Sequence, residues 1–176
     1  DQTVSTFVHE LGHNLGLGHA HSQRCERGGL PAQISNLCWR NQYGDPFDVQ
    51  GFVERHHNGW NLERLGILGP SNVRTIVTSG RFIVRAALYP TDEATVLRIP
   101  RTKARDGSVA SWYYVEVRQR GGMFEDVFDQ SMDGVSIRIA GDSKDTTLVD
   151  CNPSTLHPQD APCSAGQVFD DPDSVR

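Results

Sequence analysis

The chain has 176 residues and sets 17 Lys+Arg against 22 Asp+Glu, a formal net charge of −5 at pH 7. With 37% hydrophobic and 22% charged residues, it reads as a globular chain rather than a disordered one, long enough for one domain or a small domain with part of another. No apolar run approaches the ~20 residues of a membrane span, and mild acidity with scattered arginines argues against nucleic acid as a partner.

Residues 2–16 (QTVSTFVHELGHNLG) predict an amphipathic helix. At 100° per residue, Val4, Phe7, Val8, Leu11 and Leu15 fall within an arc of about 100°. His9 and His13 fall on the opposite side, one turn apart. The apolar stripe must pack on a core, which turns the histidines towards a cleft, and Gly16 ends the helix. The helix begins within the first few residues, so its stripe is expected to lack a cover within this chain.

Residues 20–50 are polar and rich in turn signals, with Gly28-Gly29, Pro31 and Gly44-Asp45-Pro46, and read as a long loop. A second helix is expected from Gly59 to Leu65, ended by Gly66, before a boundary at Gly69-Pro70-Ser71. The pattern then changes to period 2. Strands are predicted at Asn72–Thr78, Phe82–Leu88, Ala94–Ile99, Ser111–Arg118, Val135–Ile139, Thr146–Val149 and Gln167–Phe169. Short alternating strands between Gly, Asp and Pro turns suggest an antiparallel β-sandwich. The expectation is an α+β chain: residues 1–69 with a helix, a long loop and a short second helix, and residues 70–176 as the sandwich.

Cys25, Cys38, Cys151 and Cys163 form two local pairs, neither with Cys-x-x-Cys spacing. Disulfides are the expected reading, with an oxidising, extracellular compartment; four buried free thiols are the alternative.

Four of the seven histidines lie between positions 9 and 21. The run His9-Glu10-Leu11-Gly12-His13-Asn14-Leu15-Gly16-Leu17-Gly18-His19 has the form HExxHxxGxxH. His9 and His13, at i and i+4, can present two imidazole nitrogens to one Zn²⁺ from one helix face. Gly16 lets the chain turn so that His19 arrives as a third ligand. Three protein ligands leave a position open, as catalytic zinc requires. Glu10 is placed to act as general base on a water and then to carry the proton to a leaving amine. HExxH alone arises by chance in roughly one of several hundred chains this long, and the added Gly and His cut that by about a thousandfold. The bland alternative of a solvated helix face therefore recedes. His21 is a rival third ligand with poorer spacing. His56 and His57 read as a solvated face, and His157 lies among loop residues.

This run resembles the extended motif of the metzincin metallopeptidases. Its continuation is similar to the gametolysin (autolysin) family, through Tyr43-Gly44-Asp45-Pro46-Phe47-Asp48-Val49-Gln50-Gly51, Leu65-Gly66-Ile67-Leu68, the strand Trp112–Gln119 and Asp133–Ile139. The resemblance implies a secreted zinc metalloendopeptidase acting on protein or peptide substrates. It also implies that residues 43–51 form the turn beneath the metal, with Asp48, Val49, Gln50 and Gly51 at its apex. Two departures stand out: Gln50 where that turn normally carries Met, and Ile67 where relatives often carry Trp. By resemblance, residues 1–69 are the C-terminal part of a catalytic domain. Its N-terminal subdomain, which would cover the helix and align substrate, lies outside this chain. The chain alone is then expected to bind zinc yet cleave poorly. A non-catalytic β-sandwich binding module carrying a protease remnant is the alternative. Calcium near Asp45 and Asp48 would need more than two carboxylates.

Overall fold

The computed structural model describes residues 2–51, 55–86, 91–119, 134–172 and 174. The fold is α+β, with two α-helices and eight strands among these residues. Helix α1 (Gln2–Asn14) is followed by β1 (Ala20–Arg27), β2 (Leu30–Ala32) and β3 (Leu37–Asn41). Helix α2 (Gly59–Arg64) precedes β4 (Val73–Thr75), β5 (Val96–Lys103), β6 (Val109–Val117), β7 (Val135–Gly141) and β8 (Thr146–Leu148).

The strands form one sheet in the order β2-β1-β8-β7-β6-β5-β4, with β3 paired to the other edge of β1. Where an antiparallel sandwich is expected, the sheet is mixed: β1 runs parallel to β8 and β4 parallel to β5. The alternation in the sequence specifies strands but not their neighbours, and the β1–β8 pairing joins residues more than a hundred positions apart. Leu17, Trp60, Val96 and Tyr114 form a core cluster on one face, with Leu65 and Leu68 packed against it. Tyr113, Ile137, Val149, Cys151 and Cys163 form the core of the other face.

Both helices lie where the sequence places them. Helix α1 stops at Asn14, and Gly16 takes φ +92°, a conformation nearly closed to other residues. Asn58 caps α2 by accepting from the Asn61 N–H at 3.0 Å, and Gly66 at φ +73° follows its end. The stripe on α1 is open, with Val4 55%, Phe7 67% and Leu15 58% exposed.

Three strand expectations change. Residues 20–41 hold β1, β2 and β3 rather than a long loop. Their outer positions carry Arg24, Glu26 and Arg27, so no apolar alternation marks them. Phe82–Ala86 keeps alternating burial but makes no ladder among the described residues, where Arg85 N–H donates to Ala94 O; residues 87–88 of that expected strand lie outside the described residues. Gln167–Phe169 is irregular.

The disulfides Cys25–Cys38 and Cys151–Cys163 are present as expected. The first joins register partners on β1 and β3, and the second ties the C-terminal segment over the β7 face. Among the described residues, no helix is long and apolar enough to cross a membrane.

Candidate metal centre

Helix α1 carries His9 and His13 one turn apart, and each ring is oriented by a backbone carbonyl. Nδ1 of His9 donates to Val49 O at 2.8 Å, and Nδ1 of His13 donates to Leu17 O at 3.0 Å. A carbonyl only accepts, so each Nδ1 carries a proton, and it is Nε2 that offers a lone pair when such a ring acts as a metal ligand. The two Nε2 atoms face each other at 3.0 Å, the side on which ligating rings would carry their lone pairs. Two such lone pairs repel unless a cation is shared between them.

His19 reaches the same point from outside the helix. Its backbone N–H donates to Asp145 Oδ1 at 3.0 Å, which anchors the segment to the β7–β8 turn. A Cβ on the preceding Gly18 would fall 2.1 Å from that carboxylate and 2.7 Å from the Lys144 backbone, so only glycine fits there. One ligand atom from each of His9, His13 and His19 lies within 4.8 Å of the others. Burial first, and then the charges of His13 and His9, hold His19 below the ordinary histidine value. That favours the neutral, ligating form. The Gln42 side-chain amide nitrogen lies 2.9 Å from His19 Nδ1, so Gln42 contacts the ring through that atom.

Glu10 follows His9 on α1 and is exposed, outside the three-histidine cluster. His21 is buried beside Asp145, with Nε2 3.5 Å from Oδ2, and is not part of the cluster. We expect His19→Ala to weaken metal binding by more than the roughly 10–100-fold that loss of a residue supporting a ligand costs. His21→Ala should stay within that smaller range. Calorimetric titration with Zn²⁺ compares them, and the opposite ranking would reassign the third ligand.

Residues 45–51 form a buried turn against the helix. Val49 supplies the carbonyl that orients His9, and Gln50 lies below Gly12. The Gln50 Nε2 donates to His9 O at 2.9 Å, while its Oε1 is buried without a partner. A Cβ on Gly12 would lie 2.1 Å from that Nε2, so the glycine makes room for the amide. Gln50→Met would lose one hydrogen bond, worth about 0.5–1.5 kcal/mol net, and remove an orphaned acceptor costing about 1–3 kcal/mol. We expect unchanged or slightly raised thermal stability with metal affinity retained. A large loss of affinity in that variant would instead make the Gln50–His9 bond the element that positions His9.

Asp48 is fully buried and accepts from Gln50 N at 2.6 Å, Asn61 Nδ2 at 3.0 Å and the Asn58 N–H. Burial alone would push its carboxyl up, but His57, Asn58 and the field of Arg138 together hold it below the usual value. His57 is therefore not on a solvated face: its Nδ1 lies 3.8 Å from Asp48. His56 and His157 are exposed, as expected. Arg138 reaches the same turn from β7, with Nε 2.6 Å from Asp45 Oδ2, and it also bonds Glu116. Glu116 accepts the Gly59 N–H at 2.7 Å, so one bracket joins β6, β7, α2 and the turn. On β7 both Ser136 and Arg138 are buried, and Arg138 is the one whose side chain reaches the turn.

The sequence reading did not single out Tyr43 for the site. Its ring centroid lies 4.0 Å from that of His19 and 5.8 Å from that of His9. Its φ of +59° is unusual for a side chain of this size. Gln42 and Asp145 were also missed, because the polar character of their segments carries no sign of the histidines they reach.

Comparison with known proteins returned no matching family model, curated relative or solved structure.

Proposed function

We propose that this chain is a zinc-dependent metalloendopeptidase that hydrolyses peptide bonds of extracellular proteins, of the gametolysin-like metzincin kind that its motif resembles. The observation that carries this reading is the approach of the His9 and His13 Nε2 atoms to 3.0 Å, with a third imidazole inside the same 4.8 Å cluster. Three imidazoles suit Zn, Cu, Fe or Ni, and three-residue sets leave room for a reacting group. When bound, zinc supplies a Lewis acid that polarises a carbonyl and acidifies water. The chain's own part is to hold His9 and His13 as Nδ1 tautomers and to bring His19 across from outside the helix. Glu10 is the proton carrier, taking a proton from the attacking water and returning it to the leaving amine.

Two disulfides in a chain of this size fit secretion. The open stripe on α1 fits the further expectation of a covering subdomain outside this chain. The test is metal content by mass spectrometry of protein purified without added zinc, followed by casein digestion with and without a chelator. Substoichiometric zinc that reconstitution cannot raise would sink the metal site. Full zinc with no chelator-sensitive cleavage of casein by the full-length parent protein would favour the non-catalytic binding module.

A further inference from the structure

We infer that the free edge of β3 is a docking strand for an extended, unfolded segment of a protein substrate; this rests on the endopeptidase reading for its meaning but not for its test. The backbone groups of β3 can be sorted by side. Thr146 N donates to His19 O and Asp45 N donates to Ala20 O, so successive residues of β1 point alternately to β8 and away from it. Continuing that alternation, Ser22 and Arg24 point to β3, whereas Gln23 and Cys25 point away from it. Their register partners follow suit. Asn41 and Trp39 bond to β1, while Arg40 and Cys38 turn their N–H and C=O groups outward. The 4.0 Å Cα separation of Cys25 and Cys38 agrees, since close pairs are those not bonded to each other.

Among the described residues, no other strand pairs with β3. Two outward residues at a spacing of two offer the repeat that an added strand needs. The edge also leads somewhere. Immediately past Asn41, Gln42 touches His19 and the Tyr43 ring lies against it, tilted by 45° with centroids 4.0 Å apart. A segment hydrogen-bonded to Cys38 and Arg40 would therefore run towards the three histidines. Trp39 is exposed on one face of the strand and Arg40 is exposed beside it, ready to meet alternate side chains. An unfolded peptide fits this edge because its own backbone groups are unpaired; a folded partner would need an open edge of its own.

The test uses the zinc-loaded chain with Glu10→Gln, so that the probe survives, and reduced, carboxymethylated casein as that probe. Amide hydrogen exchange resolved by NMR should slow about tenfold or more at Cys38 and Arg40, with the Trp39 amide, already bonded to β1, unchanged. Unchanged exchange at both outward amides overturns the inference whether or not casein is cut. Protection at these amides with no chelator-sensitive cleavage by the full-length parent protein would leave the docking edge standing and overturn the endopeptidase reading alone. Arg40→Pro provides a second arm, because it removes an outward N–H without touching the ladder to β1. It should raise KM for casein about tenfold with kcat little changed. An unaltered KM in a variant that keeps its melting temperature would also overturn the inference.

Discussion

Glu10→Gln is expected to keep the metal bound and to lower kcat by about 10²–10⁴, the range for losing a general acid/base. That corresponds to roughly 2.7–5.4 kcal/mol of barrier at 1.36 kcal/mol per tenfold. Glu10 lies outside the three-histidine cluster, so the metal loses no ligand with the amide. It is exposed on α1, so neutralising it leaves no buried charge and removes no core packing. Gln has nearly the same shape and still hydrogen-bonds, but it cannot accept and return a proton. KM should change little, because the substrate's ground-state contacts are retained. Steady-state kinetics on a peptide substrate, with zinc content measured on the same preparation, checks this result. Full activity in the glutamine variant would remove Glu10 from the mechanism. Loss of metal together with activity would make Glu10 a ligand or a support for one.

The parts of the site that were legible in the sequence are those that local geometry dictates. The spacing of His9 and His13 fixes their common helix face. Gly16 and Gly66, both at positive φ, end the two helices where the pattern ends. The two disulfides close short loops, with separations of 13 and 12 residues. What the sequence hid depends on contacts between distant segments. Asp145 reaches His19 across 126 positions, and Arg138 reaches Asp45 across 93. In the sequence, each is a polar residue in or beside a strand, and solvent exposure is the ordinary reading of such a position. The strands β1, β2 and β3 were hidden for a different reason. Arg24, Glu26 and Arg27 fill the outer positions of β1, and β2 and β3 are mostly exposed, so no apolar alternation reveals them. Gln50 shows both effects at once: its place in the turn is visible by resemblance, while its bond to His9 O and its fit beneath Gly12 appear only in three dimensions.

Arg138→Met is expected to cost more stability than any change at the histidines, and for a reason centred on the turn beneath them. Arg138 is 1% exposed and lies between two carboxylates. Its Nε is 2.6 Å from Asp45, and its Nη1 donates to Glu116. Burial alone would discourage the charge, but Asp45 and Glu116 outweigh it and hold the guanidinium firmly protonated. Methionine fills similar space yet leaves both carboxylates in the dry interior; among the described residues Glu116 keeps a cation, Arg118, at 3.3 Å, and Asp45 keeps none within ion-pair distance. Removing one partner of a buried ion pair costs about 3–5 kcal/mol, a large part of the ~5–15 kcal/mol that a domain possesses. At roughly 2–4 °C per kcal/mol for a chain of this size, the melting temperature should fall by about 6–20 °C. Metal affinity should fall with it, because Asp45 holds the Phe47 N–H at 2.9 Å at the start of the turn whose Val49 carbonyl orients His9. Replacing the carboxylates as well, as Asp45→Asn and Glu116→Gln on the Arg138→Met background, removes the stranded charges and should recover part of the loss. Thermal denaturation of the metal-free proteins separates the terms. A single variant that melts within 2 °C of the parent would mean that water reaches this bracket and the ion pairs contribute little. A triple variant no better than the single one would assign the loss to packing around Arg138 rather than to its charge.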